Sequence, residues 1–207
     1  MSDNERSQDV KTPLARLAFS RGLFKLQDNG FGKEQWTAAL LFPKSADISV
    51  LENAAMEAAT AAWGDKAAQM IKDGLIKSPF LDGDGPQGKS KQSGEPHAGF
   101  AGHRFIRVMS GAEYRPQLFD QKVHPTDDPA LLYSGCYVYA VVNAFTWKND
   151  MNGKGISFSV SIVQKVKDGE RMGGTGGPDP NAFLEAVETD DAPAETKTGA
   201  GAGGLFG

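Results

Sequence analysis

Residues 131–148 read LLYSGCYVYAVVNAFTWK and sort their side chains by parity. Cys136, Val138, Ala140, Val142 and Ala144 are small and apolar. Tyr137, Tyr139, Asn143, Phe145 and Trp147 are mostly aromatic, with Val141 the one aliphatic among them. Successive side chains of a strand point to opposite faces. The spacing therefore predicts a long strand with one face suited to a tight interior and the other carrying a row of rings. The residues alone leave open which face is inside, because strand aromatics also serve core and cross-strand packing.

Working outward, the polar turn KNDMNGKG is followed by ISFSVSIVQKVKDGERM. Here Ile156, Phe158, Val160 and Ile162 share one face and Ser157, Ser159 and Ser161 the other, which predicts the second arm of a hairpin. Toward the N-terminus, HRFIRVMSG predicts a short strand with Phe105, Arg107 and Met109 on one face and Ile106 and Val108 on the other. An irregular stretch with Pro116, Pro125 and Pro129 joins it to the long strand. LARLAFSRGLFKL and QWTAALLFPK predict an earlier hairpin around the turn DNGFGKE, with Pro43 ending its second strand. Between Ser45 and Ile76 the spacing of Leu51, Ala54, Ala55, Ala58 and Ala62 is helical, with Asp47 or Ser49 as cap and a break at Gly64-Asp65. DGDGPQGKSKQSGEPHAGFAGHR has no periodicity; it reads as a solvated loop or as a mobile basic flap closing on a polyanion.

This order predicts a mainly β fold with a helical insertion (α+β), a five-stranded OB-type barrel, with a five-stranded sandwich as the alternative. Residues 1–12 are expected to form a flexible arm. Residues 13–174 form the domain, with its helical insert at 46–77 and a flexible loop at 82–103. Residues 175–207 form an acidic disordered tail.

The chain of 207 residues carries a formal charge of −4. Glu185, Glu188, Asp190, Asp191 and Glu195, against Lys197, place that whole excess at the C-terminus, so the rest holds 21 bases and 21 acids. Such asymmetry suggests contact with nucleic acid or a partner protein. A lone cysteine, Cys136, excludes an intramolecular disulfide and reads as a small buried hydrophobe in a reduced compartment. With no apolar leader and no apolar run of about 20 residues, the expectation is a cytoplasmic protein without membrane contact.

Catalytic chemistry is hard to assemble from these residues. His97, His103 and His124 lack metal-ligand spacing, DGDG at 82–85 lacks the rest of a calcium loop, and the glycine-rich stretches lack a phosphate-loop pattern. No carboxylate cluster suits a metal-dependent nuclease. The expectation is a non-enzyme with no cofactor and no metal. Binding fits better: unpaired nucleic acid is held by rings that stack bases and cations that track phosphates. The candidates are Tyr137, Tyr139, Trp147, Phe105 and Trp36 as rings, and Arg16, Arg21, Lys89, Lys91, His103, Arg104, Arg107 and Lys154 as polar or charged partners. The competing reading is a structural or protein-interaction module that docks a partner chain on the ring face. The tail, ending in Leu205-Phe206, reads as a docking peptide, a mimic of nucleic acid or a solubilising segment.

FAGHRFIRVMS, RPQLFD, LLYSGCYVYAVVNAFTWKN and NGKGISFSVSIVQKVKDGERMGG, taken in succession, resemble a bacteriophage family of single-stranded DNA-binding proteins with an OB fold. The motifs fall at Tyr133 to Cys136, Gly153 to Gly155 and Gln164 to Glu170, and the likeness spans residues 12–174. It implies a non-catalytic protein that coats single strands with little sequence preference in phage replication or recombination. It also implies a homodimer whose acidic tail meets replication or recombination proteins. The strand here is richer in aromatics, at Phe145 and Trp147, than the family pattern, and FIRVMS stands where a more polar version is expected.

Overall fold

The computed structural model describes residues 4–30, 32–149 and 152–173. In chain order these form β1 (Val10–Lys11), β2 (Ala15–Ala18), β3 (Gln27–Asp28), β4 (Glu34–Pro43), α1 (Ser49–Trp63), α2 (Ala67–Lys72), β5 (Leu81–Asp82), β6 (His103–Gly111), β7 (Gln117–Phe119), β8 (Tyr137–Asn149) and β9 (Gly153–Lys167). The fold is mainly β with a helical insertion. All the strands belong to one sheet. β2 pairs antiparallel with β4, and β4 with β6. β6 runs parallel to β9, which is antiparallel to β8, and β8 pairs antiparallel with β2, so the succession returns to its start.

The enclosed face is apolar. Leu17, Leu40, Phe42, Ile106, Val108, Val138, Val142 and Phe158 are buried there. α1 adds Leu51, Ala54, Ala55 and Ala58 to the same core. Alanine favours the helix and lets it approach the small side chains of β8. The N-cap of α1 is Ile48, with no side-chain cap hydrogen bond, so neither Asp47 nor Ser49 caps the helix as expected; Asp47 Oδ1 accepts the Ser49 N–H at 2.9 Å in the turn that leads into it. The helix ends at Gly64, whose φ of +63° suits glycine, and one 3-10 turn separates it from α2.

A second cluster lies outside the ring of strands. Ala18, Ala39 and Leu41 meet Phe105, and Phe100 and Met172 cover them. Phe100 and Phe105 are edge-on, with ring centroids 4.9 Å apart.

The structure departs from the sequence reading in five further places. The first strand stops at Phe19, which takes φ +54°, and a 3-10 turn follows at Ser20–Leu23. The segment expected as a flexible arm runs along β8: Ser7 N–H donates to Ala144 O, Thr12 N–H donates to Ala140 O, and β1 pairs Val10 with Val142. The loop at 82–103 is tied to itself and to its neighbours rather than free. His97 N–H donates to Gly88 O, Ser90 N–H to Glu95 O, and Lys44 bridges Asp82 and Asp84 at 2.8 Å each. β7, inside the stretch read as irregular, pairs parallel with β9.

The fifth departure is in β9. Its pairing with β8 shifts register between Val141 and Val142, and again between Tyr137 and Val138. A bulge adds a residue to one strand and so switches which face the following side chains reach. Ile162, expected inside, is therefore only half-buried, and Val163 fills the core instead.

Candidate nucleic-acid interface

β8 answers the parity question. Val138, Ala140, Val142 and Ala144 are buried, while Tyr137, Tyr139, Phe145 and Trp147 face outward and are half-buried. Each of these four rings has a cation over it, and the four cations come from three other parts of the chain. Lys167 Nζ lies 4.7 Å from the centroid of Tyr137, and Lys11 Nζ 3.9 Å from that of Tyr139. The Arg6 guanidinium is 5.3 Å from Phe145, and Lys77 Nζ is 5.9 Å from Trp147. Arg6 is also held by Asn143 Oδ1 at 2.9 Å. The register shifts bring Lys167 opposite Tyr137. The pairing of residues 4–12 along β8 supplies Arg6 and Lys11.

A contact of this kind contributes about 0.5–1 kcal/mol at an exposed site. Stacking a base on a ring contributes about 1–3 kcal/mol. On these magnitudes a base stacked on a ring would outweigh the cation contact it displaces.

At the C-terminal end of β8 the rings border a groove. It has a volume of about 460 Å³ and is lined by Phe145, Trp147, Met109, Lys77 and polar side chains of neighbouring turns. The Trp147 indole leans across β9, its Nε1–H donating to Ser157 Oγ at 3.0 Å. It can lie there because Gly155 has no side chain: a Cβ at that position would sit 2.5 Å from Trp147 Cζ2. Met109 reaches the same groove from β6, where it is paired with Ser159 of β9 and Thr37 of β4. Arg107, two residues before it, is exposed.

The candidates named from sequence have several fates. Tyr137, Tyr139, Trp147 and Arg107 lie on the outer face. Phe105, expected as a stacking ring, is 1% exposed inside the second cluster and presents no face to a base. Arg104 pairs with Glu52 at 3.5 Å and donates to the carbonyls of Lys44 and Ala46, so it fastens α1 to β6. Arg16 donates to Gly135 O and Glu170 O and holds the ends of the long hairpin to β2. Trp36 and Lys154 fall on the inward parity of their strands. Trp36 donates to Ala112 O beneath Arg115, and Lys154 lies over Trp63 at 5.8 Å. His103 Nδ1 lies 2.8 Å from Ala101 O. Arg21, Lys89 and Lys91 are exposed on their turns, and the flap that was to carry the two lysines is pinned.

Sequence reasoning missed Arg6, Lys11, Lys77 and Lys167, because nothing local marks which ring a distant cation will cover. It also missed Phe19, 44% exposed at a positive φ and edge-on to His97 at 5.1 Å. A non-glycine residue in that conformation is a signal only coordinates carry.

Behind the Tyr137 end lies a buried charge. Lys165 is 4% exposed, and its ammonium meets Asp168 at 2.6 Å. That ammonium, with the Tyr133 hydroxyl at 3.0 Å, holds the Asp168 carboxyl below the usual carboxylate range. Lys44 does the same for Asp82 and Asp84. Burial pushes the Cys136 thiol up to about 11. Among the described residues no group of three or more His, Cys, Asp or Glu is placed to hold a metal ion, and no helix is long and apolar enough to cross a membrane.

A family model described as "Enterobacter phage Enc34, ssDNA-binding protein" matches residues 8–193. Protein p50 of Acyrthosiphon pisum secondary endosymbiont phage 1 is 30% identical over 174 residues, 81% of this chain and 88% of that protein. Among solved structures, the single-stranded DNA-binding protein from bacteriophage Enc34 in complex with ssDNA is similar with a TM-score of 0.57 at 21% identity, covering 80% of this chain and 89% of that one. Gp2.5, a single-stranded DNA-binding protein encoded by bacteriophage T7, is similar with a TM-score of 0.53 at 12% identity, covering 86% and 96%.

Proposed function

This chain belongs to the family of the Enterobacter phage Enc34 ssDNA-binding protein, and we propose that it coats unpaired DNA along the outer face of β8, with little overall sequence preference, during phage replication or recombination. The observation that carries this is the row of four outward rings, each under a cation from elsewhere in the chain. Rings alone would suit a protein partner. Rings interleaved with cations suit a polymer that offers a flat base and an anionic phosphate at every step.

The ring of pairings, with its parallel β6–β9 contact and its helix between β4 and β6, supports reading the sheet as a five-stranded OB-type barrel. The protein is a binder rather than a catalyst: the interface holds rings and cations, and the buried thiol is a poor nucleophile. The reading extends to a homodimer working in the host cytoplasm, with the acidic segment 175–207 meeting replication or recombination proteins. That segment lies outside the described residues.

Fluorescence titration tests the core of this reading, with Trp36, Trp63 and Trp147 as reporters. Oligo-dT should quench emission and bind tightly at low salt, and a duplex of the same length should bind far more weakly. Equal binding of the two, or none, would remove the stacking account. A Tyr137→Ala/Tyr139→Ala protein that stays folded should lose a few kcal/mol of affinity at most.

A further inference from the structure

We propose that the groove at the Trp147 end of β8 reads the edge of one unpaired base, so that one nucleotide within an otherwise tolerant site is selected. The proposal rests on the single-stranded DNA reading above and deepens it. A surface that only stacks bases is expected to be ringed by cations and apolar side chains. This groove differs. Phe145, Trp147 and Met109 supply its apolar part and Lys77 its cation, but Gln35 and Asn152 also line it. Both are half-buried. Neither side-chain amide hydrogen-bonds to another described residue, whereas the Asn149 side-chain Oδ1 beside them accepts the Asn152 backbone N–H.

An amide offers a donor and an acceptor in one plane. That is the pattern needed to meet the Watson–Crick edge of a splayed base whose face lies on an aromatic ring. The backbone positions that carry the two amides are set by the sheet. Gln35 stands on β4 opposite Gly111 of β6 and Gln27 of β3, and Asn152 sits in the turn joining β8 to β9. With a volume of about 460 Å³ the groove has room for one base. Along the rest of β8 the neighbours of the rings are charged, as Arg6, Lys11 and Lys167 are, or are amides already hydrogen-bonded, Asn143 to Arg6 and Asp9 and Gln164 to Gln121 O. Selection therefore belongs at this end.

The test uses the full chain and homopolymers of dT, dC and dA of equal length, titrated by tryptophan quenching at several salt concentrations. The wild type should rank the three with a spread of about five- to tenfold. The Gln35→Ala/Asn152→Ala protein should compress that spread to less than about twofold, while the salt slope and the quench remain as in the wild type. A Gln35→Glu variant keeps the shape, replaces the amide's donors with acceptors and adds a negative charge, so it should weaken all three homopolymers and, beyond that common loss, change their rank order. Equal binding of the three homopolymers by the wild type, or an unchanged spread in the double variant, would overturn the proposal while leaving the stacking interface intact. No binding of any homopolymer by the wild type would sink the interface itself.

Discussion

Phe105 and Arg107 stand two residues apart on one face of β6, and their neighbours give them opposite roles. Phe105 packs under Phe100 and Met172, whereas Arg107 emerges beyond the edge of that cover. Phe105→Ala should cost about 3–5 kcal/mol of stability, as removal of a buried ring does. Arg107→Ala should change stability by less than about 0.5 kcal/mol and weaken binding of oligo-dT; urea unfolding and titration of the same two proteins separate the effects. The Lys165–Asp168 pair predicts a second asymmetry. Lys165 is enclosed while Asp168 is mostly exposed, so Asp168→Asn strands a buried ammonium and should lower the melting temperature. Lys165→Met leaves behind only a carboxylate that water can solvate, and should leave the melting temperature equal or higher. Calorimetry of the two variants, with the order of their transitions reversed, would show that the ammonium is not the costly member.

At the scale of the element, the N-terminal segment has the largest consequence for function. Deleting residues 1–12 removes Arg6 and Lys11 from their rings and bares one edge of β8. The truncated protein should fold, bind oligo-dT more weakly and show a shallower salt dependence; unchanged binding would mean the arm only covers an edge. This element also shows what could be read in advance. The alternation along β8 and the hairpin to β9 were legible, because burial imposes a period of two on each strand, but which face of β8 lies inside was not, since rings and small apolar side chains both suit a core. The arm was not, since its polar sequence has no period and its order comes from donating to carbonyls of a strand more than 120 residues away. The bulges were not legible either: they depend on how two strands meet, and one of them moves Ile162 outward and Val163 inward. Phe105 was misread for a related reason, since its face of β6 is open or closed depending on a loop that covers one end only. That loop has its own pH response. Asp82 and Asp84 titrate below their ordinary range because of Lys44, so their contribution is complete above about pH 4 and is lost as pH falls through the depressed values. Lys44 is raised, so its contribution is complete below its ordinary value and fades only in strong alkali. Amide exchange at Gly102, whose N–H donates to Asp84 Oδ1 at 3.0 Å, should accelerate in acid relative to its intrinsic rate and hold steady across neutral pH.

For the molecule as a whole, the question is how a chain of net charge −4 grips a polyanion. At 0.1 M salt the screening length is about 10 Å, so a phosphate responds to the cations beside it and hardly to the sum over the chain. Five cations lie on or beside the ring face: Arg6, Lys11, Lys77, Lys167 and Arg107. Each phosphate neutralised on a single strand lowers the slope of log K against log salt by about 0.7, so all five together give about −3.5. Removing Lys11 or Lys167 should make the slope shallower by about 0.7 each, and removing both by about 1.4, because the two sit on different rings and act independently. Replacing Arg16 or Arg104, whose guanidinium groups are committed to backbone carbonyls, should destabilise the fold with little change in slope among the molecules that remain folded. A slope near zero would mean that base stacking alone holds the strand. A slope that ignored Lys11 and Lys167 but answered to Lys89 and Lys91 would move the phosphate path from β8 to the 82–103 loop.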